Sequence, residues 1–257
     1  MQLAANPFTH AIAAHEKQIG LWISLSNAYA ADVVAPAGYD WVLIDMEHSP
    51  NDYFSVLGQL QAFAASDTTA IVRAEWNSPV VVKRLLDLGA PGLMFPMIQT
   101  VEEAELAVAS TRYPPNGIRG VAGSTRATKF GRVSDYIAQI ENETTVILQL
   151  ETADAVGRAG DIAAVDGVSG IFFGPGDIAA DIGKTGNPMD SDVWSLIRPM
   201  AQKLIAKGIP VGTLVLDAGF AAELMNEGFT FVACGTDTGL LARASDALLA
   251  DVKGALK

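Results

Sequence analysis

The chain has 257 residues, half of them hydrophobic, which suits one sizeable core rather than two small ones. A formal charge of −12 argues against nucleic acid and anionic membrane surfaces as partners, because both are polyanions. The single cysteine, Cys234, excludes an internal disulfide framework, and neither a signal-like leader nor a charge-free apolar stretch of about 18 residues is present, so the expectation is one cytoplasmic domain over 1–257.

The first 17 residues read as a helix-like segment carrying His10 and His15. Eight short runs rich in Val, Ile, Leu and Phe follow, at 20–27, 40–46, 70–74, 92–97, 145–151, 168–174, 210–215 and 229–234. They are apolar almost throughout rather than alternating, as parallel strands covered on both faces are. Between them the sequence predicts helices over 28–37, 51–64, 79–89, 101–111, 190–207, 217–227 and 236–255. Asn51 and Asp52 cap the second of these, Pro79 opens the third, and Gly89 and Gly208 fall where helices stop. The stretch 113–135, rich in Gly, Pro and Arg, is the one long irregular segment, and loops of that length are commonly functional or covered by a partner. Eight strands alternating with helices predict an α/β fold, a (β/α)8 TIM barrel.

Barrel enzymes place their chemistry at the carboxyl ends of the strands. The second run ends in Asp45, Glu47 and His48, the third carries Arg73, the fifth ends in Gln149 and Glu151, and the sixth runs into Gly174, Pro175, Gly176 and Asp177. Glu151 and Asp177, from adjacent strands, form a hard-oxygen pair suited to a divalent cation, Mg²⁺, Mn²⁺ or Co²⁺. The plainer alternative makes Glu151 a helix cap and Asp177 part of a turn. The amides of Gly176 and Asp177 offer a carboxylate cradle, although a tight turn requires the same glycine. His48 is the candidate general acid or base, against a loop histidine bonded to Asp45. Arg73 interrupts an apolar strand and requires an anionic partner: it is either a fixed charge for an oxyanion or a salt bridge to Glu47 or Asp45. None of the lysines, at 17, 83, 129, 184, 203, 207, 253 and 257, falls on a predicted strand, which disfavours a Schiff-base mechanism. The segment CGTDTG after the eighth run reads as a strand-to-helix turn, with a phosphate cradle as the rival.

The segments LIDMEHSPND, IVRAEW, LLDLGAPGLMFPMIQT, RYPPNGIRG, LQLETADAV and FFGPGDIAADIG, in this order along nearly the whole chain, resemble the HpcH/HpaI aldolase/citrate lyase family. The resemblance is to its class II aldolases, which reversibly cleave a 4-hydroxy-2-oxo acid into an aldehyde and pyruvate or a related acid such as hydroxypyruvate. It implies a metal on Glu151 and Asp177, His48 as acid/base residue, and Arg73 stabilising the transition state. It places Gln149, Gly176, Asp177 and Leu214 at the substrate. The family usually carries Ala or Ser where Gly176 stands, a departure that leaves backbone contact open. Asp87, in LLDLGA, corresponds to a family aspartate that raises the histidine's basicity. Near the end of the third predicted helix, Asp87 is expected to reach His48 only from a neighbouring subunit; Asp45 is the local alternative, and a solvent-facing helix end the plain one. The resemblance further implies a homohexamer, a trimer of dimers, with the C-terminal helix exchanged between subunits. Two rivals remain at this level: a carbon–carbon lyase acting on a CoA thioester of the citryl or malyl type, and a non-catalytic oxo-acid-binding protein. CoA calls for a basic patch, whereas the mouth offers mainly Arg73, with Arg119 and Arg126 in the long loop.

Overall fold

The computed structural model describes residues 1–256. Eight parallel strands close into a barrel, each paired with its sequence neighbours and the last with the first. They are β1 (Gln18–Ile23), β2 (Trp41–Asp45), β3 (Thr69–Arg73), β4 (Gly92–Phe95), β5 (Thr145–Leu150), β6 (Gly170–Phe173), β7 (Val211–Leu214) and β8 (Phe231–Thr236). The (β/α)8 expectation therefore holds. The helices are α1 (Pro7–Ala13), α2 (Ala28–Val34), α3 (Tyr53–Phe63), α4 (Pro79–Asp87), α5 (Val101–Thr111), α6 (Tyr136–Glu143), α7 (Ala153–Gly157), α8 (Ala159–Ile162), α9 (Pro175–Asp181), α10 (Ser191–Ala206), α11 (Ala218–Asn226) and α12 (Asp237–Ala255).

Two apolar layers explain the unalternating strands. Side chains pointing outward, such as Val42, Ile44, Val72, Leu93, Leu148 and Ile171, pack under the helices. Those pointing inward, among them Trp22, Trp41, Leu43, Ile71, Met94, Phe172 and Phe231, fill the barrel itself. Each fully buried large side chain contributes on the order of 1.5–3 kcal/mol. The N-terminal segment is a plug: Phe8 of α1 stacks on Trp41 with ring centroids 5.2 Å apart, and Asn6 caps α1 while its amide donates to the carbonyls of Pro91 and Glu143. The amino end of the barrel is thus closed, which leaves the carboxyl end for chemistry.

Several boundaries differ from the sequence expectation for local reasons. The helix expected over 28–37 ends at Val34 and continues as a 3₁₀ turn over Ala35–Ala37, where Pro36 removes a donor. The GPGD segment is not a turn; Pro175 takes the first helical position and α9 follows directly. The CGTDTG segment holds no cradle, because β8 runs on to Thr236, Thr236 caps α12, and the buried Asp237 carboxylate accepts from the backbone amides of Ser24 and Leu25 at 2.9 and 3.0 Å. Helices α6 to α8, of eight, five and four residues, are not among the expected elements, being too short to show a sustained helical pattern. The stretch 113–135 is irregular as expected, pinned by Arg119 and Arg126.

Candidate active site

The carboxyl ends of β2, β3, β5 and β6 gather the polar residues that the sequence singled out. Arg73, the last residue of β3, is buried, and its register partner on β2 is Asp45. The guanidinium grips that carboxylate with two bonds, Nε to Oδ1 at 2.8 Å and Nη2 to Oδ2 at 2.7 Å. Its Nη1 stands 2.8 Å from Glu47 Oε2 and 3.5 Å from Gln149 Oε1. The salt bridge and the position at the barrel mouth are therefore both present. Burial alone would raise the Asp45 carboxyl, but the Arg73 bonds and charge outweigh it and hold that carboxyl below its usual range. Burial pushes Glu47 up, and Arg73 offsets only part of that.

Gln149 and Glu151 sit one above the other on the end of β5, as the two-residue period of a strand requires. Glu151 is buried, with Oε1 accepting from Gln149 Nε2 and Oε2 from the Met97 amide, both at 2.8 Å. Its reading as a helix cap is set aside, because Thr152 caps α7. Burial is the largest force on its carboxyl, which the negative charges of Glu47 and Asp177 help to push up to about 8. Asp177 lies in the first turn of α9. Four carboxyl groups, Asp45, Glu47, Glu151 and Asp177, thus share one guanidinium, so the pocket is under-neutralised. An all-oxygen donor set short of positive charge fits a hard divalent cation. Among the described residues no group of three or more His, Cys, Asp or Glu side chains is placed to hold a metal ion.

His48 stands on the loop after β2 with its side chain 67% exposed, and Nε2 is 4.0 Å from Glu47 Oε2. Only its backbone amide approaches Asp45, at 3.4 Å. Asp45 is not the local orienter of the imidazole, since both its oxygens are committed elsewhere. Asp87 is not brought to His48 within the chain, nor does it face free solvent. At the end of α4 it accepts from Arg119 Nη2 at 2.9 Å, and the Arg119 side chain is fully buried against Tyr113. Leu214 ends β7 and packs on the barrel interior beside the mouth.

Comparison with known proteins supplies the family. A profile of the HpcH/HpaI aldolase/citrate lyase family matches residues 18–244. The chain is 48% identical to a pyruvate aldolase of Rhizobium etli, over 97% of this chain and 98% of that one. It is 45% identical to a 4-hydroxy-2-oxo-heptane-1,7-dioate aldolase of Salmonella dublin, over 95% and 94%. A crystal structure of a family protein from Burkholderia cenocepacia J2315 superimposes with a TM-score of 0.93 at 38% identity, covering 97% of this chain and 100% of that one. The chain belongs to the HpcH/HpaI aldolase/citrate lyase family. It is an aldolase, a carbon–carbon lyase, which sets aside the non-catalytic reading.

Three features of the aldolase's site escaped the sequence reading. Gly174 lies so close to Glu151 that a Cβ there would stand 2.8 Å from Glu151 Cγ, whereas a Cβ at Gly176 would meet nothing within 4 Å. The steric glycine is therefore Gly174, and the Ala or Ser usual at position 176 would also fit. Met97 holds a left-handed φ of 53°, a conformation that costs a Cβ-bearing residue roughly 1–2 kcal/mol, and its amide is the one that reaches Glu151. Trp22 donates from Nε1 to Asp45 Oδ2 at 3.2 Å. A cavity of about 590 Å³ also exists, lined by Asn6, Thr69, Ala90 and Arg126 at the amino end, away from this cluster. Arg126 is occupied there in bonding the carbonyls of Leu88 and Leu60 at 2.7 and 3.4 Å.

Among the described residues no helix is long and apolar enough to cross a membrane.

Proposed function

We propose that this aldolase reversibly cleaves a 4-hydroxy-2-oxo acid into an aldehyde and pyruvate, or a related 2-oxo acid such as hydroxypyruvate, with a divalent cation on Glu151 and Asp177. The observation that carries the reading is the buried Glu151, held by Gln149 and the Met97 amide beside Glu47 and Asp177, with the one guanidinium of Arg73 already bonded to Asp45. A bound Mg²⁺, Mn²⁺ or Co²⁺ supplies Lewis-acid polarisation of the 2-oxo group. The names of the Rhizobium and Salmonella relatives point to the same substrate class.

The chain's own residues take the remaining parts. Arg73 is a fixed positive charge that stabilises the enolate oxygen, held by Asp45 so that nothing reorganises as charge develops. His48 takes the 4-hydroxyl proton during cleavage and returns it during addition, a role that its exposure to the mouth permits. Gln149 orients the oxo acid, the amides of Gly176 and Asp177 receive its carboxylate, and Leu214 packs against its apolar side. Asp87, delivered by a second copy of the chain, raises the basicity of His48. Support for such an assembly comes from α12, whose exposed Leu240, Leu241, Leu248, Leu249 and Val252 lack a partner in the single chain. We assign that helix to an exchange between subunits of a homohexamer built as a trimer of dimers.

The deciding experiment crosses pyruvate and hydroxypyruvate with a panel of aldehydes, using protein stripped of metal and then reloaded. Aldol product that appears only after reloading supports the proposal. Product formation in fully stripped protein contradicts it.

A further inference from the structure

The Asp45–Arg73 pair is braced by a buried residue of a third strand. Trp22, on β1, is 4% exposed and points into the barrel, where its ring packs on Phe172 at 5.6 Å. Its Nε1–H donates to the same Asp45 oxygen that Arg73 Nη2 grips, at 3.2 and 2.7 Å. The ring lies 4.9 Å from Arg73 Cζ, within cation–π reach. The other oxygen of Asp45 takes Arg73 Nε and the amides of Glu47 and His48, which belong to the loop after β2. Besides Arg73 itself, Trp22 is therefore the side chain that ties the carboxylate to a neighbouring strand of the barrel wall rather than to a loop. The other two buried tryptophans differ: the Trp41 and Trp194 indoles donate to the backbone carbonyls of Gln18 and Pro188. A plain core filler at position 22 requires ring volume and no N–H.

We propose that Trp22 is a positioning residue for the aldol reaction, its indole N–H and ring face fixing the Asp45–Arg73 pair and hence where the guanidinium charge stands. This rests on reading Arg73 as the charge that stabilises the enolate. A positioning role acts on the transition state more than on oxo-acid binding, so kcat moves and the pyruvate KM does not.

The test is Trp22→Phe, which keeps a ring and deletes the donor, with Trp22→Tyr as a second variant and circular dichroism to verify folding. Loss of one bond to a charged group predicts a kcat about three- to tenfold lower, with the pyruvate KM changed by less than about twofold. In an Asp45→Ala background the same substitution should lower kcat by less than about twofold, because its route is already cut. Unchanged kcat in both folded variants overturns the proposal, as does a rise in KM alone or a full multiplicative loss in the Asp45→Ala background. Arg73→Lys separates the two ideas: wild-type turnover in that variant sinks the reading of Arg73 itself, whatever Trp22 does.

Discussion

Glu151 carries a strongly pH-sensitive interaction. Its carboxyl sits at about 8 in the folded chain against an ordinary value of 4.5, so folding without metal takes up a proton. That group's contribution to metal-free stability is therefore full below about 4.5 and declines as pH rises to about 8. Stripped protein should lose several degrees of Tm across this window, and Glu151→Gln should flatten the loss while abolishing turnover; a stripped Tm that rises with pH contradicts the assignment. Arg73→Ala removes a preorganised donor and should lower kcat by roughly 100- to 1,000-fold. The residue types at the strand ends were legible because a buried charge on an apolar strand demands an explanation. Their pairing was legible only as a choice, Glu47 or Asp45 for Arg73. Asp45 and Glu47 are two residues apart, and only the β2–β3 register shows that Arg73 faces both. The left-handed Met97 and the crowding at Gly174 arise from tertiary contacts that local sequence does not encode.

At the scale of elements, the strands and long helices followed from apolar runs and caps, because a parallel barrel buries both faces of each strand. Helix α5 occupies the residues expected for it, and in the structure a Thr100 and Glu103 capping box fixes its start. Helix α9 was missed because its Gly-Pro-Gly-Asp opening has the composition of a turn, while Pro at the first helical position suits a helix equally well. The junction of β8 and α12 bears on stability more than on chemistry. Asp237→Ala leaves the amides of Ser24 and Leu25 without their acceptor, a loss of about 1–3 kcal/mol. Thermal unfolding should show a Tm lower by several degrees with the Mn²⁺ affinity preserved; an unchanged Tm would refute that role for the carboxylate.

The whole chain carries two features that a single copy does not use, the exposed apolar side chains of α12 and an Asp87 remote from His48. Both fit an assembly in which neighbours complete each other's sites. Light scattering on Leu248→Glu together with Leu249→Glu should show a smaller oligomer than the wild type; the same mass in both would exclude α12 as an interface. The family was legible from motifs covering nearly all of the chain, because its strand-end residues occur together in a fixed order. The aldehyde partner was not, since the loops at the barrel mouth rather than the strand-end motifs would contact it. The central claim is that Glu151 and Asp177 together hold one divalent cation at the barrel mouth. Titration of stripped protein with Mn²⁺, followed by paramagnetic resonance, measures this directly. One tight site per chain is expected, lost in both Glu151→Gln and Asp177→Asn, whereas undiminished binding in either variant would contradict a shared cation.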